Sequence, residues 1–185
     1  MPNGMEKVRV AILVANGFEE EELTSPKQAL EASGATCDIV SPEDSKVRSW
    51  QHDHWGSYFP VDAKLNDANV EDYSALVLPG GVINPDTLRI NPVAIEFIRS
   101  FLDVGKPIAA ICHGPWTLIE AGAVRDRKIT SWPSLKTDLI NAGAIWVDEE
   151  VVIAGDLITS RKPDDLPAFN QALIDILSKE RQHAW

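Results

Sequence analysis

The chain is poor in cysteine: among its 185 residues only Cys37 and Cys112 are cysteines, with no Cys-x-x-Cys spacing. Neither a disulfide framework nor a cysteine-based zinc site is encoded, and both side chains are expected to be thiols. Basic residues are also scarce, 17 Lys and Arg against 28 Asp and Glu, for a formal net charge of -11. A nucleic-acid backbone or an anionic membrane surface would repel such a chain, so neither is expected as a partner. Long hydrophobic runs are missing as well. The apolar stretch 8–15 is too short for a membrane span or for a signal core with its cleavage site, which leads to the expectation of a cytoplasmic protein. No repeat, low-complexity tract or Pro/Gly/Ser linker divides the sequence. A single domain over 1–185 is expected, with flexible tails at 1–6 and 180–185.

What is present is an alternation of apolar strand-like runs and helix-like segments. Residues 8–15, 75–78 and 108–111 are apolar on both faces, as strands covered by helices on both sides must be. Ser25, Pro26 and Gln28 read as N-cap, N1 and N3 of a helix running to Ala32 before Gly34, followed by a strand at 36–41. Asn91-Pro92 opens a second helix closed by Gly105. Further helices are expected at 115–121, 134–142 and 163–178, a strand near Ile129, and a hairpin of 151–153 with 157–159 turning at Gly155-Asp156. This order predicts an α/β fold with a doubly wound, mostly parallel sheet and helices on both faces, its site at strand C-termini.

Three of those strand ends carry unusual residues: Glu19 to Glu22 after the first, Pro79-Gly80-Gly81 after the 75–78 strand, and Cys112-His113-Gly114-Pro115 after the 108–111 strand. Strand, Cys-His-Gly-Pro, helix reads as a nucleophile elbow, with Pro115 setting the first helical turn. A thiol facing a helix N-terminus is expected to titrate below the free value of about 8.5. His113 is the candidate base. Gly80 and Gly81 allow backbone N–H groups to approach closely and, with the N–H after Cys112, to form an oxyanion hole. One carboxyl of the glutamate run could meet the thiol and, protonated, donate to it.

Cys37, in a strand without polar company, reads as core. His52 and His54 would share one side of a strand, but no Cys, Glu or third His is spaced to complete a metal set, so no metal or other cofactor is expected. Trp50, Trp55, Tyr58 and Phe59 read as an aromatic wall or contact surface, and His183 lies in the tail.

The segments Asn16-Gly17-Phe18-Glu19, Ala75-Leu76-Val77-Leu78-Pro79-Gly80-Gly81, Ala110-Ile111-Cys112-His113-Gly114-Pro115 and Thr159-Ser160-Arg161 together resemble the PfpI family of the DJ/PfpI superfamily, relatives of class-I glutamine amidotransferase domains. The resemblance implies a flavodoxin-like fold, Cys112 as nucleophile, His113 beside it, Glu22 as the elbow carboxyl and Glu19 near it. It also implies an acid from a neighbouring subunit, here Asp86, and hence a dimer or larger homo-oligomer. Many relatives have Glu at that position. Trp116 departs from the family's usual polar residue and is expected to narrow the pocket, favouring small substrates.

The family's assigned roles imply three functions: hydrolase-type action on small reactive carbonyls or protein glycation adducts, intracellular cysteine peptidase activity, or redox-sensing and chaperone-like stress protection. The first is the expectation, as a cytoplasmic stress-response protein. An amidotransferase lacks support, since no His-x-Glu pair occurs after Ser160.

Overall fold

The computed structural model describes residues 4–182. In chain order the strands and helices are β1 (Arg9–Leu13), β2 (Phe18–Glu19), α1 (Glu20–Ala32), β3 (Thr36–Ser41), β4 (Lys46–Gln51), β5 (His54–Pro60), β6 (Ala63–Lys64), β7 (Ala75–Leu78) and α2 (Ile83–Arg89). They continue with α3 (Pro92–Asp103), β8 (Ile108–Ile111), α4 (Pro115–Glu120), β9 (Lys128–Ile129), α5 (Lys136–Asn141), β10 (Ile145–Trp146), β11 (Val152–Ala154), β12 (Leu157–Ser160) and α6 (Leu166–Gln182). The described residues form a seven-stranded sheet in the order β11-β12-β8-β7-β1-β3-β6, parallel except for the β11–β12 hairpin. This is the doubly wound arrangement that the order of elements predicts, and the flavodoxin-like fold that the resemblance implies.

Burial on both faces follows from the strand sequences. Ala11, Leu13, Leu76, Leu78, Ile108 and Ala110 pack with Ile98 and Phe101 of α3 and Leu118 of α4. The alternate residues Val10, Ile12, Val77, Ala109 and Ile111 pack with Leu23 and Leu30 of α1 and Phe169 and Leu173 of α6. Strand order reverses about β1, whose neighbours are β3 on one side and β7 on the other. The crevice outside the C-terminal ends of β1, β7 and β8 is where such sheets hold ligands.

Several local expectations are revised. The first helix begins at Glu20, not after Ser25, so Pro26 lies inside it. Three carboxylates in the first turn, and burial of Glu22 and Leu23 against the sheet, offset the one backbone hydrogen bond that Pro26 cannot make. Gly4–Lys7 is a 3-10 turn with Met5 buried against the core, and α6 continues to Gln182; the remainder of the expected tails lies outside the described residues. His183 is among those. His52 and His54 do not share a strand side: His52 and Asp53 form the turn of the β4–β5 hairpin, and His54 pairs with Asp53 instead.

Other signals hold to within a few residues. The Asn91 side chain accepts from the amides of Val93 and Ala94 at 3.0 and 3.3 Å, the N-cap of α3. Gly155, at φ +67, turns the β11–β12 hairpin. No helix among the described residues is long and apolar enough to cross a membrane.

Candidate active site

The elbow is present and sharply bent. Cys112 has φ +62, a left-handed conformation that costs a non-glycine residue about 1–2 kcal/mol. The backbone around it is tied on three sides: its N–H donates to Ser160, Gly114 donates to Ile111, and Trp132 donates to the Cys112 carbonyl. A Cβ on Gly114 would stand 2.5 Å from the Leu78 carbonyl oxygen, so glycine lets the elbow settle onto β7. The bend brings the adjacent ring round to the sulfur, with His113 Nδ1 3.2 Å from Cys112 Sγ.

Gly80 and Gly81 fill the other side. A Cβ on Gly80 would lie 2.7 Å from Cys112 Cβ and 2.9 Å from both Glu22 Oε1 and the His113 nitrogen, so cysteine, glutamate and elbow backbone converge on this one hydrogen-only position. Gly81, at φ +73, would put a Cβ 2.5 Å from the Gly17 carbonyl oxygen. The N–H groups of Gly81 and His113 come near the Cys112 sulfur, short of full hydrogen-bond geometry, and favour its charged form. Gly80→Ala is expected to cost about 1–3 kcal/mol by overpacking and to displace the thiol. A thermal melt read together with the rate of iodoacetamide labelling checks this; unchanged values in both would refute the close approach.

The Gly80-Gly81 loop is latched by Asn84, which the sequence reading did not single out. This fully buried amide accepts from the Ala15 N–H at 2.7 Å and donates to the Pro79 and Gly80 carbonyls at 3.0 and 3.1 Å. It thus ties the end of β1 to the end of β7. Its signal, a polar residue after a glycine pair, does not differ from that of an ordinary loop asparagine.

The four glutamates separate. Glu22 is fully buried in the site, and the Gly80 and Gly81 amides approach it short of full hydrogen-bond geometry, leaving both oxygens without a protein partner. Burial, helped by the charge of Glu19, pushes its carboxyl up to about 8, so at neutral pH it holds a proton that it can donate. Glu19 lines the same cavity, and burial raises it too. Glu20 points to the hairpin, accepting from Ser49 and the Ser57 N–H. Glu21 is exposed and meets His52.

The thiol does not titrate low in the single chain. Burial, with the Glu22 carboxyl nearby, pushes Cys112 up, and the Gly81 and His113 amides reverse only part of this. The helix behind the elbow has six residues, a short source of dipole. Burial also lowers His113 to about 4, so it is a neutral imidazole. The resting pair is therefore thiol beside neutral acceptor, not thiolate beside imidazolium. Cys37 is buried, with its thiol pushed up to about 12, as its core reading requires.

The third group that His113 faces within its own chain is Ser134, whose Oγ lies 3.4 Å from Nε2. Asp86 is exposed on α2 and is not among the cavity's lining residues. Trp116 does not narrow the pocket. It stands behind His113, ring centroids 5.2 Å apart and edge-on, with its indole N–H donating to Asp138. The indoles that line the cavity are Trp50 and Trp132, the latter stacked on His113 at 6.1 Å and 22°. Of the expected aromatic wall, Trp50 faces the cavity with Trp55 packed edge-on behind it, while Phe59 packs on Phe18 and Tyr58 lies under Lys46 and Arg48. The cavity holds about 410 Å³, with Cys112, His113, Glu22 and Gly81 on one side and Trp50, His52, Ile83 and Trp132 among those facing them.

Fold and site together define a flavodoxin-like α/β protein with a cysteine on a strained elbow, paired with a histidine and a protonated carboxyl. The chain belongs to the DJ-1/PfpI family, whose model matches residues 8–176. It is 42% identical over 170 residues to a deglycase of Pyrococcus horikoshii, covering 92% of this chain and 99% of that protein. It is 39% identical over 172 residues to General stress protein 18 of Bacillus subtilis, covering 92% and 98%. Among solved structures it is similar to DJ-1beta of Drosophila melanogaster, with TM-score 0.84 and 27% identity over 92% of this chain and 90% of that one.

Proposed function

We propose that this is a cytoplasmic stress-response enzyme that uses Cys112 to act on small reactive carbonyls or the glycation adducts they form on proteins. The observation that carries the reading is the convergence of the Cys112–His113 pair, the Gly81 and His113 amides and a protonated Glu22 on one cavity. The deglycase and stress-protein names of its relatives support the substrate class, and two free thiols fit a reducing compartment.

In this reading Cys112 sulfur attacks the adduct's carbonyl carbon while neutral His113 Nδ1 takes the thiol proton. The Gly81 and His113 amides hold the oxyanion that develops. Glu22 donates to the sulfur while it is charged, the proton held by His113 passes to the adduct's nitrogen or sulfur as its bond to carbon breaks, and water hydrolyses the three-carbon fragment left on Cys112. A buried thiol favours attack on a bound substrate over reaction with dissolved peroxide, which needs an exposed thiolate. The cavity's size suits an adduct of one side chain better than a folded polypeptide. The test is release of free N-acetyl-arginine or N-acetyl-cysteine from its methylglyoxal adduct by the purified protein. Turnover is expected, and adducts decaying at the buffer rate would reject the reading.

The reading includes self-association, with Asp86 of a neighbouring copy approaching His113. Support comes from exposure of Asp86 beside the apolar Val82, Ile83 and Ile90. Asp86→Ala is expected to lower turnover about tenfold or more while the oligomer measured by sedimentation persists. Equal turnover would remove Asp86 from the mechanism.

A further inference from the structure

The mouth of the cavity holds a group of side chains that do not themselves touch the reacting atoms at Cys112. His52, at φ +55 in the β4–β5 turn, is held by its own N–H to Glu19 Oε1 at 3.3 Å and by the Trp50 indole N–H donating to its carbonyl at 2.9 Å. Its ring stands between two carboxylates, Nδ1 3.6 Å from Glu19 Oε1 and Nε2 3.0 Å from Glu21 Oε1. One donor atom from each of the three residues lies within 4.8 Å of the others.

A neutral imidazole has one N–H and one lone pair. With both nitrogens turned to carboxylate oxygens, one approach sets lone pair against lone pair unless a proton or a metal cation lies between, and a metal ion would take both carboxylates and one ring nitrogen as ligands. Metal ligands at the usual 2.0–2.2 Å around a tetrahedral ion stand roughly 3.3–3.6 Å apart, so small side-chain movements would close the set around one. Glu19 is anchored, its side chain 12% exposed as the residue that precedes α1, whereas Glu21 and His52 are free to adjust, at 52% and 69%. Further into the same cavity stands Glu22, whose two buried oxygens lack a protein partner.

We propose that Glu19, Glu21 and His52 bind a divalent transition-metal cation at the mouth of the Cys112 cavity. One imidazole nitrogen and two carboxylate oxygens suit zinc better than magnesium or calcium, which prefer oxygen alone. Three protein ligands leave a coordination position open to water or to a ligand's oxygen. Sequence spacing hides this site because one ligand precedes α1, one lies in its first turn, and the third sits in a hairpin turn more than thirty residues later.

The test is calorimetric titration of the full-length reduced protein with zinc chloride, beside the Cys112→Ser, His54→Ala, His52→Ala and Glu21→Gln variants. One saturable site is expected in the wild type, unchanged in Cys112→Ser and His54→Ala. It should weaken about tenfold or more in both His52→Ala and Glu21→Gln, each with an unaltered circular dichroism spectrum. X-ray absorption of the zinc complex is expected to show nitrogen and oxygen ligands only. Absence of saturable binding, a zinc–sulfur distance near 2.3 Å, or full affinity in His52→Ala would overturn the proposal.

Discussion

Glu22→Gln is expected to be more stable than the wild type by an amount that grows with pH. In the native protein burial holds the carboxyl's pKa at about 8, against an ordinary value of 4.5 in the unfolded chain. Between these values the native state keeps a proton that the unfolded state releases, so wild-type stability falls as pH rises through the window. The slope is about 1.4 kcal/mol per pH unit, and it vanishes above the native pKa, where both states are ionised. Glutamine carries no titrating proton in either state. The difference between variant and wild type should therefore be small near pH 4.5, grow up to about pH 8 and then level off.

His113 has the opposite sign. Its native pKa is lowered to about 4 from 6.5, so the unfolded chain holds the extra proton there and stability rises with pH across that interval. In the wild type the two trends oppose one another between about pH 4.5 and 6.5. Because burial is the cause of the His113 shift, that contribution is common to both proteins and cancels in the difference. Denaturant melts of the pair at half-unit steps from pH 4.5 to 9 read it directly. A difference that stays flat with pH would mean that native Glu22 is ionised at neutral pH and cannot donate to the sulfur.

Cys112→Ala should reduce adduct turnover by about a thousandfold or more while leaving the fold intact, since no other group on the cavity wall can replace the sulfur as nucleophile. Alanine inherits the strained φ of +62, whereas glycine does not. Cys112→Gly is therefore expected to be as inactive as Cys112→Ala yet more stable by about 1 kcal/mol, the left-handed penalty reduced by glycine's greater freedom when unfolded. Turnover assays beside denaturant melts of the two variants separate the chemical role from the backbone strain. Residual activity near wild type in either would move the reaction away from Cys112. Equal stability of the two would mean that the elbow relaxes when the thiol is removed.

These two residues differ in how far their roles could be read beforehand. The elbow was legible because it is local: an apolar strand, a Cys-His-Gly-Pro bend and a proline at the helix start are encoded in eight adjacent residues. The same holds for the doubly wound order of elements, the Asn91 cap and the glycine turn at Gly155. The state of the thiol was not legible. Its titration depends on how much water, and which charges, surround the sulfur once β1, β7 and β8 bring their ends together. The helix N-terminus favours a lower pKa, and burial pushes it up.

The run Glu19 to Glu22 makes the division plain. By itself the sequence determined that four carboxylates follow the first strand, and that a strand end is where a site would form. Only tertiary structure decided their separate fates: one fully buried beside the thiol, one on the cavity wall, one turned to the hairpin and one at the surface facing His52. The physical reason is that Glu19 ends β2 while α1 turns Glu20, Glu21 and Glu22 by about 100° each, so four identical side chains face four different environments. Those environments come from chain segments distant in sequence. Asn84, Trp132 and His52 enter the site by the same route, through contacts between strand ends and turns that no local pattern records.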